Sequence, residues 1–184
     1  MKNIAVIGAD GKLGTELMRQ PNTVSVPWMF ENDFNVINDW FEQNPIVDTV
    51  WHVARCCRKV GNRRDHQTYL DEQNGMINLM NTRARKCRFV YASSKIVYGI
   101  DGFRCCKKKC DHDYKIETVD QVAQYFTDSL VGTFNCPGWQ TTDKVDIIDL
   151  DPQRVIYACT KLSNEAMIRK NCPNYKILRI WDIK

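Results

Sequence analysis

The feature that most limits what this chain can become is a short apolar run, Ile4-Ala5-Val6-Ile7, meeting three glycines spaced G-x-x-G-x-x-G at Gly8, Gly11 and Gly14. A helix-forming run at residues 15–19 follows. The pattern reads as strand, tight turn and helix. Its turn lacks side chains where a phosphate would have to come close. The helix opening there presents unpaired N–H groups and the positive end of its dipole. Gly8, Asp10, Gly11, Lys12, Leu13 and Gly14 are thus candidate contacts for a dinucleotide pyrophosphate. Glycine-rich turns also join strands to helices for packing alone, so a second motif has to decide.

A length of 184 residues suits one domain, residues 1–184, with an irregular insert at residues 100–154. The formal net charge of +4 permits phosphate binding without announcing a nucleic-acid protein. No apolar run approaches the roughly 20 residues of a membrane helix, and Ile4 to Ile7 is too short for a signal-peptide core. The expectation is a cytoplasmic protein with no membrane contact. Nine cysteines are then read first as reduced thiols. Cys106, Cys110, His112 and Cys136 offer a second reading, four soft ligands for a structural zinc. Their spacing is irregular and Lys107 to Lys109 crowd it, so no metal is assigned.

Along the chain, Val24-Ser25-Val26 forms a second strand, ended by Pro27. Dinucleotide folds place an acid at this tip for the adenosine ribose. Here the tip reads Pro27-Trp28-Met29, and Asp33 and Phe34 come later as candidate cofactor contacts. The missing acid speaks against NAD as the preferred form. Lys12 could meet a ribose phosphate instead, so NADP or NAD both stand. Residues 36–43 have helical spacing, with Val36, Ile37, Trp40 and Phe41 on one side and Asn35 as N-cap. Residues 47–54 are a buried strand whose small end, Val53-Ala54, should lie beside the glycine turn; His52 is read as packed rather than catalytic. Residues 55–64 are a basic loop, open to a phosphate-bearing substrate or to plain solvation. Residues 69–85 are a helix with Leu70, Met76, Ile77, Leu79 and Met80 on its apolar side. Residues 88–92 form a fourth strand that delivers Ser93-Ser94 to the same edge. An amphipathic run spans residues 118–130 within the insert. Tyr157 and Lys161, four apart, share a face of a helix running to about residue 170, and residues 176–180 are a fifth strand.

Strand, glycine turn, alternating helices and strands, a serine at a strand end, then Tyr-x-x-x-Lys on a helix: this resembles the extended short-chain dehydrogenase/reductase family. Its nearest flavour is the sugar-nucleotide epimerases and dTDP-dehydrorhamnose reductases. The matching residues are the three glycines, His52-Val53-Ala54, Asn74 with Asn78-Leu79, Ala92-Ser93-Ser94 with Val97-Tyr98-Gly99, Tyr157 with Lys161 and Glu165, and Leu178-Arg179. The resemblance implies a Rossmann-like, doubly wound α/β fold. Only one helix lies between the second strand and the strand at residues 47–54, so a strand of the family's larger sheet is missing, which points to about five parallel strands in the order 2-1-3-4-5. It implies Tyr157 as acid/base, Lys161 as its tuner and ribose ligand, and Ser94 as the residue positioning the substrate oxygen. It adds Val53, Ala54, Asn74 and Ala92 to the cofactor contacts. A lysine cation favours a phenolate, which explains the pairing.

Further departures qualify the resemblance. The ribose-binding acid is missing, Arg55 stands where a small residue is usual, the segment between Gly99 and Tyr157 is longer than usual and cysteine-rich, and the family's C-terminal substrate lobe is not expected in this chain. The expected activity is an NAD(P)-dependent oxidoreductase or epimerase acting on a nucleotide sugar. The insert, a second copy (a homo-oligomer) or a partner chain would complete the substrate side. The alternative is a non-catalytic Rossmann module with a binding or assembly role. Nucleic acid ranks last, because the basic runs lack interleaved aromatic residues.

Overall fold

The first strand, β1 (Asn3–Ile7), is apolar on both faces, so both must be covered. The computed structural model describes residues 3–27, 33–54, 66–94, 97, 103–105, 120, 123–124, 127, 139–141 and 152–180. After β1 come α1 (Lys12–Leu17), β2 (Thr23–Val26), α2 (Phe34–Gln43) and β3 (Val47–His52). Then follow α3 (His66–Asn81), a 3-10 turn (Arg83–Lys86) and β4 (Arg88–Ser94). Two short strands, β5 (Phe103–Cys105) and β6 (Trp139–Thr141), precede α4 (Pro152–Asn171) and β7 (Tyr175–Ile180).

The main sheet runs β2-β1-β3-β4-β7, with every neighbouring pair parallel. This is the expected 2-1-3-4-5 order. A separate antiparallel pair joins β5 to β6. Parallel strands bring all their carboxyl ends to one edge, and the glycine turn leaves β1 at that edge.

Side-chain parity divides the core in two. Ala5, Ile7, Val50, Phe89 and Tyr91 join Ile37 and Phe41 of α2, Met76, Leu79 and Met80 of α3, and Ile168 of α4. On the other face Ile4, Val6, Trp51, Val90 and Leu178 pack with Leu13 and Leu17 of α1 and with Ala123. Burying each large aliphatic chain contributes about 1.5–3 kcal/mol. The sheet is therefore held by helices on both sides rather than by one large core.

Several helix details depart from the sequence expectation. Asp33, not Asn35, caps α2: its backbone is extended and its carboxylate accepts the Asn35 N–H at 2.8 Å. Helix α2 thus begins earlier, and Val36 is 48% exposed rather than inward. On α3, Tyr69, Met76, Leu79 and Met80 are buried, but Leu70 and Ile77 are 43% and 46% exposed. They lie on the outward stripe, seven residues apart and two turns along. Helix α3 also stops at Asn81, where Thr82 starts the 3-10 turn by accepting the Ala84 N–H. Helix α4 begins at Pro152, where proline is tolerated because a first-turn N–H lacks a helical partner anyway.

Arg83 ties the end of α2 to β3. Its guanidinium donates to the carbonyls of Phe41, Asn44, Pro45 and Val47 at 2.9–3.3 Å. Of these, Phe41 lies in the last turn of α2, where a carbonyl has no helical donor left to accept from. Replacing Arg83 by Ala should cost about 2 kcal/mol of stability. Arg19→Ala, which loses only an exposed pair with Glu16, should change stability by less than about 0.5 kcal/mol. Urea denaturation of the two variants checks the contrast.

Candidate functional site

The glycine turn is built by two close contacts. Gly8 takes φ +89°, a left-handed conformation that side chains disfavour, and a Cβ there would stand 2.6 Å from the backbone of Ala54. A Cβ on Gly14 would stand 1.9 Å from the Gly8 carbonyl oxygen. At Gly11 the nearest heavy atom would lie at 3.4 Å, so only two of the three glycines are demanded by the protein's own packing. Gly11 is the N-cap of α1 and supplies no side-chain acceptor. The first backbone bond of the helix runs from Thr15 N–H to Gly11 C=O, which leaves the N–H groups of Lys12, Leu13 and Gly14 without helical partners.

The neighbouring strand end closes against this turn. Val53 N–H donates to Ile7 C=O at 2.9 Å, and Ala54 lies against Gly8. Ala9, Val53 and Ala92 all pack on the cluster containing buried Leu13. The turn, the end of β3 and the end of β4 thus share the carboxyl edge. Asp10, Gly11 and Lys12 are exposed there, and Gly14 is buried beneath. Asp33 and Phe34 are exposed at the start of α2, where Asp33 is engaged as the cap.

Tyr157 and Lys161 lie on the opposite face of the sheet, where α4 packs beside α3. Tyr157 is half-buried, with its ring 6.3 Å from that of Tyr69. Lys161 is buried, with its Nζ 5.7 Å from the Tyr157 ring centroid and 5.0 Å from that of Tyr91. It donates to Glu72 Oε1 at 2.9 Å, and both side chains of this ion pair are 3% exposed. Burial alone would lower the proton affinity of Lys161. Glu72, then Tyr91 and Tyr157, more than reverse this, so the ammonium holds its proton well above the ordinary lysine range. Asn164 Nδ2 donates to Tyr91 Oη at 3.1 Å, while burial pushes the Tyr91 phenol up to about 12.

Glu72 is the residue that sequence reasoning missed. Asn74, the expected contact on that helix, is exposed on its outer face. Two residues correspond to about 200° around a helix, so only one of the pair can face inward. The available signal was a carboxylate set among Tyr69, Met76 and Leu79 on an apolar stripe. A charge buried there requires a cation, and Lys161 is that cation.

Two serines end β4 side by side. Ser93 donates to Glu165 Oε1 at 2.6 Å on the α4 face. Glu165 also accepts both forks of Arg179 at 3.0 and 2.8 Å and one of Arg169 at 2.8 Å. Burial would raise its carboxyl, but the Arg179 and Ser93 bonds and the charges of Arg179 and Arg169 hold it below the usual range. Ser94 is half-buried in register with Ile180, on the alternate side of the pleat from Ser93. His52 is buried in edge contact with Tyr91, 5.4 Å between centroids.

Burial first, then the charge of Lys161, lower the His52 imidazole to about 3. Among the described residues, Cys87, Cys159 and Cys172 are free thiols, and no cluster could hold a metal ion. Cys106, Cys110, His112 and Cys136, the basic loop at residues 55–64, and Trp28 lie outside the described residues. No described helix is long and apolar enough to cross a membrane.

No protein-family model matches the sequence, and no curated protein matches it significantly. Solved structures do. A dTDP-4-dehydrorhamnose reductase from Bacillus anthracis str. Ames in complex with NADP aligns over 98% of this chain and 54% of its own, at TM-score 0.55 and 16% identity. A GDP-mannoheptose C4 reductase from Campylobacter jejuni with NADP bound aligns over 98% and 48%, at TM-score 0.56 and 16% identity. The Bordetella bronchiseptica enzyme WbmH in complex with NAD+ aligns over 97% and 55%, at TM-score 0.50 and 15% identity. The chain spans about half the length of these structures.

Two outcomes test the site's construction. Gly14→Ala should cost about 3 kcal/mol or more, because backbone must move, while Gly11→Ala should stay within about 1 kcal/mol; thermal melts compare them. His52 has a folded pKa below its unfolded one, so the unfolded state binds more protons between the two. Stability should therefore rise from pH 5 to 6 by about 1.2 kcal/mol through this one group. His52→Gln should flatten that rise in urea titrations at the two pH values. The chain has a Rossmann-like α/β fold, which it shares with these NADP- and NAD-bound structures.

Proposed function

We propose that the chain binds a nicotinamide dinucleotide, NADP or NAD, and serves as an oxidoreductase or epimerase acting on a nucleotide sugar. The observation that carries this reading is the glycine turn. Gly11, the glycine with no internal packing demand, borders an exposed edge and caps a helix without a side chain. That is the place a pyrophosphate would fill, held by the N–H groups of Lys12, Leu13 and Gly14. Lys12, exposed beside them, would meet a ribose phosphate. Val53, Ala54 and Ala92 form the small-residue wall along which the dinucleotide would lie. When bound, the dinucleotide supplies hydride exchange with a carbinol carbon.

The chain's own residues would handle the proton. Tyr157 would give or take it at the substrate oxygen, and Ser94, which ends β4 on the other side of the pleat, would have to reach that oxygen around the strand terminus to fix it by a hydrogen bond. Lys161 would hold the nicotinamide ribose and place positive charge beneath the phenol. The sugar side would be completed by residues 100–154, by a second copy or by a partner chain. Fluorescence titration of the purified chain with NADPH and NADH should saturate. Tyr157→Phe should keep that binding and abolish turnover of the nucleotide sugars tried. Absence of saturable binding would end this reading.

A second reading, a binding or assembly module without turnover, is favoured by one observation. Lys161 is fully engaged with Glu72 in the interior. Turnover of any nucleotide sugar by the isolated chain would exclude it.

A further inference from the structure

The buried pair of Lys161 and Glu72 bears directly on how such a ligand could be held. Lys161 Nζ lies 2.9 Å from Glu72 Oε1, and neither side chain is more than 3% exposed. The pair sits under two rings, Tyr91 and Tyr157. His52 and Tyr91 sit one residue short of Val53 and Ala92, so the ammonium lies just beneath the carboxyl edge rather than on it. Glu72 comes from α3 and Lys161 from α4, helices that pack side by side. An ammonium has three donors and could serve several acceptors, but this one lies below the edge: reaching a group bound there would draw it away from Glu72, and the carboxylate left unpaired in the interior is strongly disfavoured.

We propose that Glu72 is a positioning residue that holds Lys161 back from the crevice and competes with a bound dinucleotide for its ammonium. This rests on the dinucleotide reading above and deepens it. Nothing covalent changes. The ammonium exchanges one acceptor, the Glu72 carboxylate, for another, a ribose hydroxyl. The carboxylate then takes what neighbours it can, which makes the exchange unfavourable in proportion to its burial. An amide at the same place would still accept a hydrogen bond from Lys161 but would exert no charge on it.

The test uses the full chain and two kinds of probe. NADPH and NADH carry a nicotinamide ribose; ADP carries a diphosphate and adenosine but no second ribose. Glu72→Gln should bind NADPH or NADH about tenfold more tightly than the unchanged chain, with ADP affinity within about twofold. Thermal melting shows whether the variant is folded. Should Glu72→Gln fail to fold, Glu72→Asp keeps the charge but shortens the reach, and it should tighten dinucleotide binding about threefold. Dinucleotide affinity that is unchanged or weaker in a folded variant overturns the proposal while leaving the dinucleotide reading intact. A gain that ADP shares equally also overturns it, since the effect would then lie at the glycine turn. Absence of dinucleotide binding by the unchanged chain and the variant alike removes both readings.

Discussion

The rest of this structure depends on how closely the chain approaches itself where β1 turns into α1. Gly14 sits so near the Gly8 carbonyl that no side chain fits between them. That contact seats a helix of only six residues, Lys12–Leu17, flat against the sheet. Leu13 and Leu17 then reach the second apolar cluster, and the next strand can return parallel to the first. Gly8 must lack a side chain because the Ala54 backbone lies against it. One steric constraint thus fixes the helix, the strand spacing and the exposed edge together.

Helix α4 is held by charge rather than by apolar area alone. Lys161 is bound to Glu72 of α3, and Glu165 is bound to Ser93 of β4 and Arg179 of β7. These two systems lie one helical turn apart on one face. The Glu165 carboxyl is held below its usual range, so its contribution is present at neutral pH and fades as the pH falls through the acid range below about 4.5. Removing either partner of the Lys161–Glu72 pair leaves an uncompensated buried charge, which costs far more than the loss of an exposed pair such as Arg19 with Glu16. The same rigidity that fixes Tyr157 above the strands also limits what Lys161 can reach.

Much of this was legible in the residues themselves. The apolar run before Gly8 and the later apolar runs made the individual strands legible, because those signals are local; their parallel order came from the family resemblance and the single helix between the second and third strands. The glycines were legible as a turn, though not as two packing glycines and one spare, since that distinction needs Ala54 in three dimensions. On α3 and α2 the reading by apolar type put Leu70, Ile77 and Val36 inside; the helix phase puts them outside. Asn74 was named from the family resemblance alone, without the helix face it occupies, and Glu72 was not singled out. The pairing of Glu72 with Lys161 spans 89 residues, and no local pattern encodes it.

The last residues of β4 carry a consequence of their own. Ser93 and Ser94 are chemically identical, yet the pleat gives them different neighbours: one meets a buried carboxylate, the other the strand terminus. The strand can therefore absorb a change of residue type at many places but not a change in the number of residues. Deleting or adding one between Phe89 and Ser94 would exchange the two hydroxyls and send Tyr91 to the wrong side of the sheet. Length, more than composition, is what descent in this segment has to preserve.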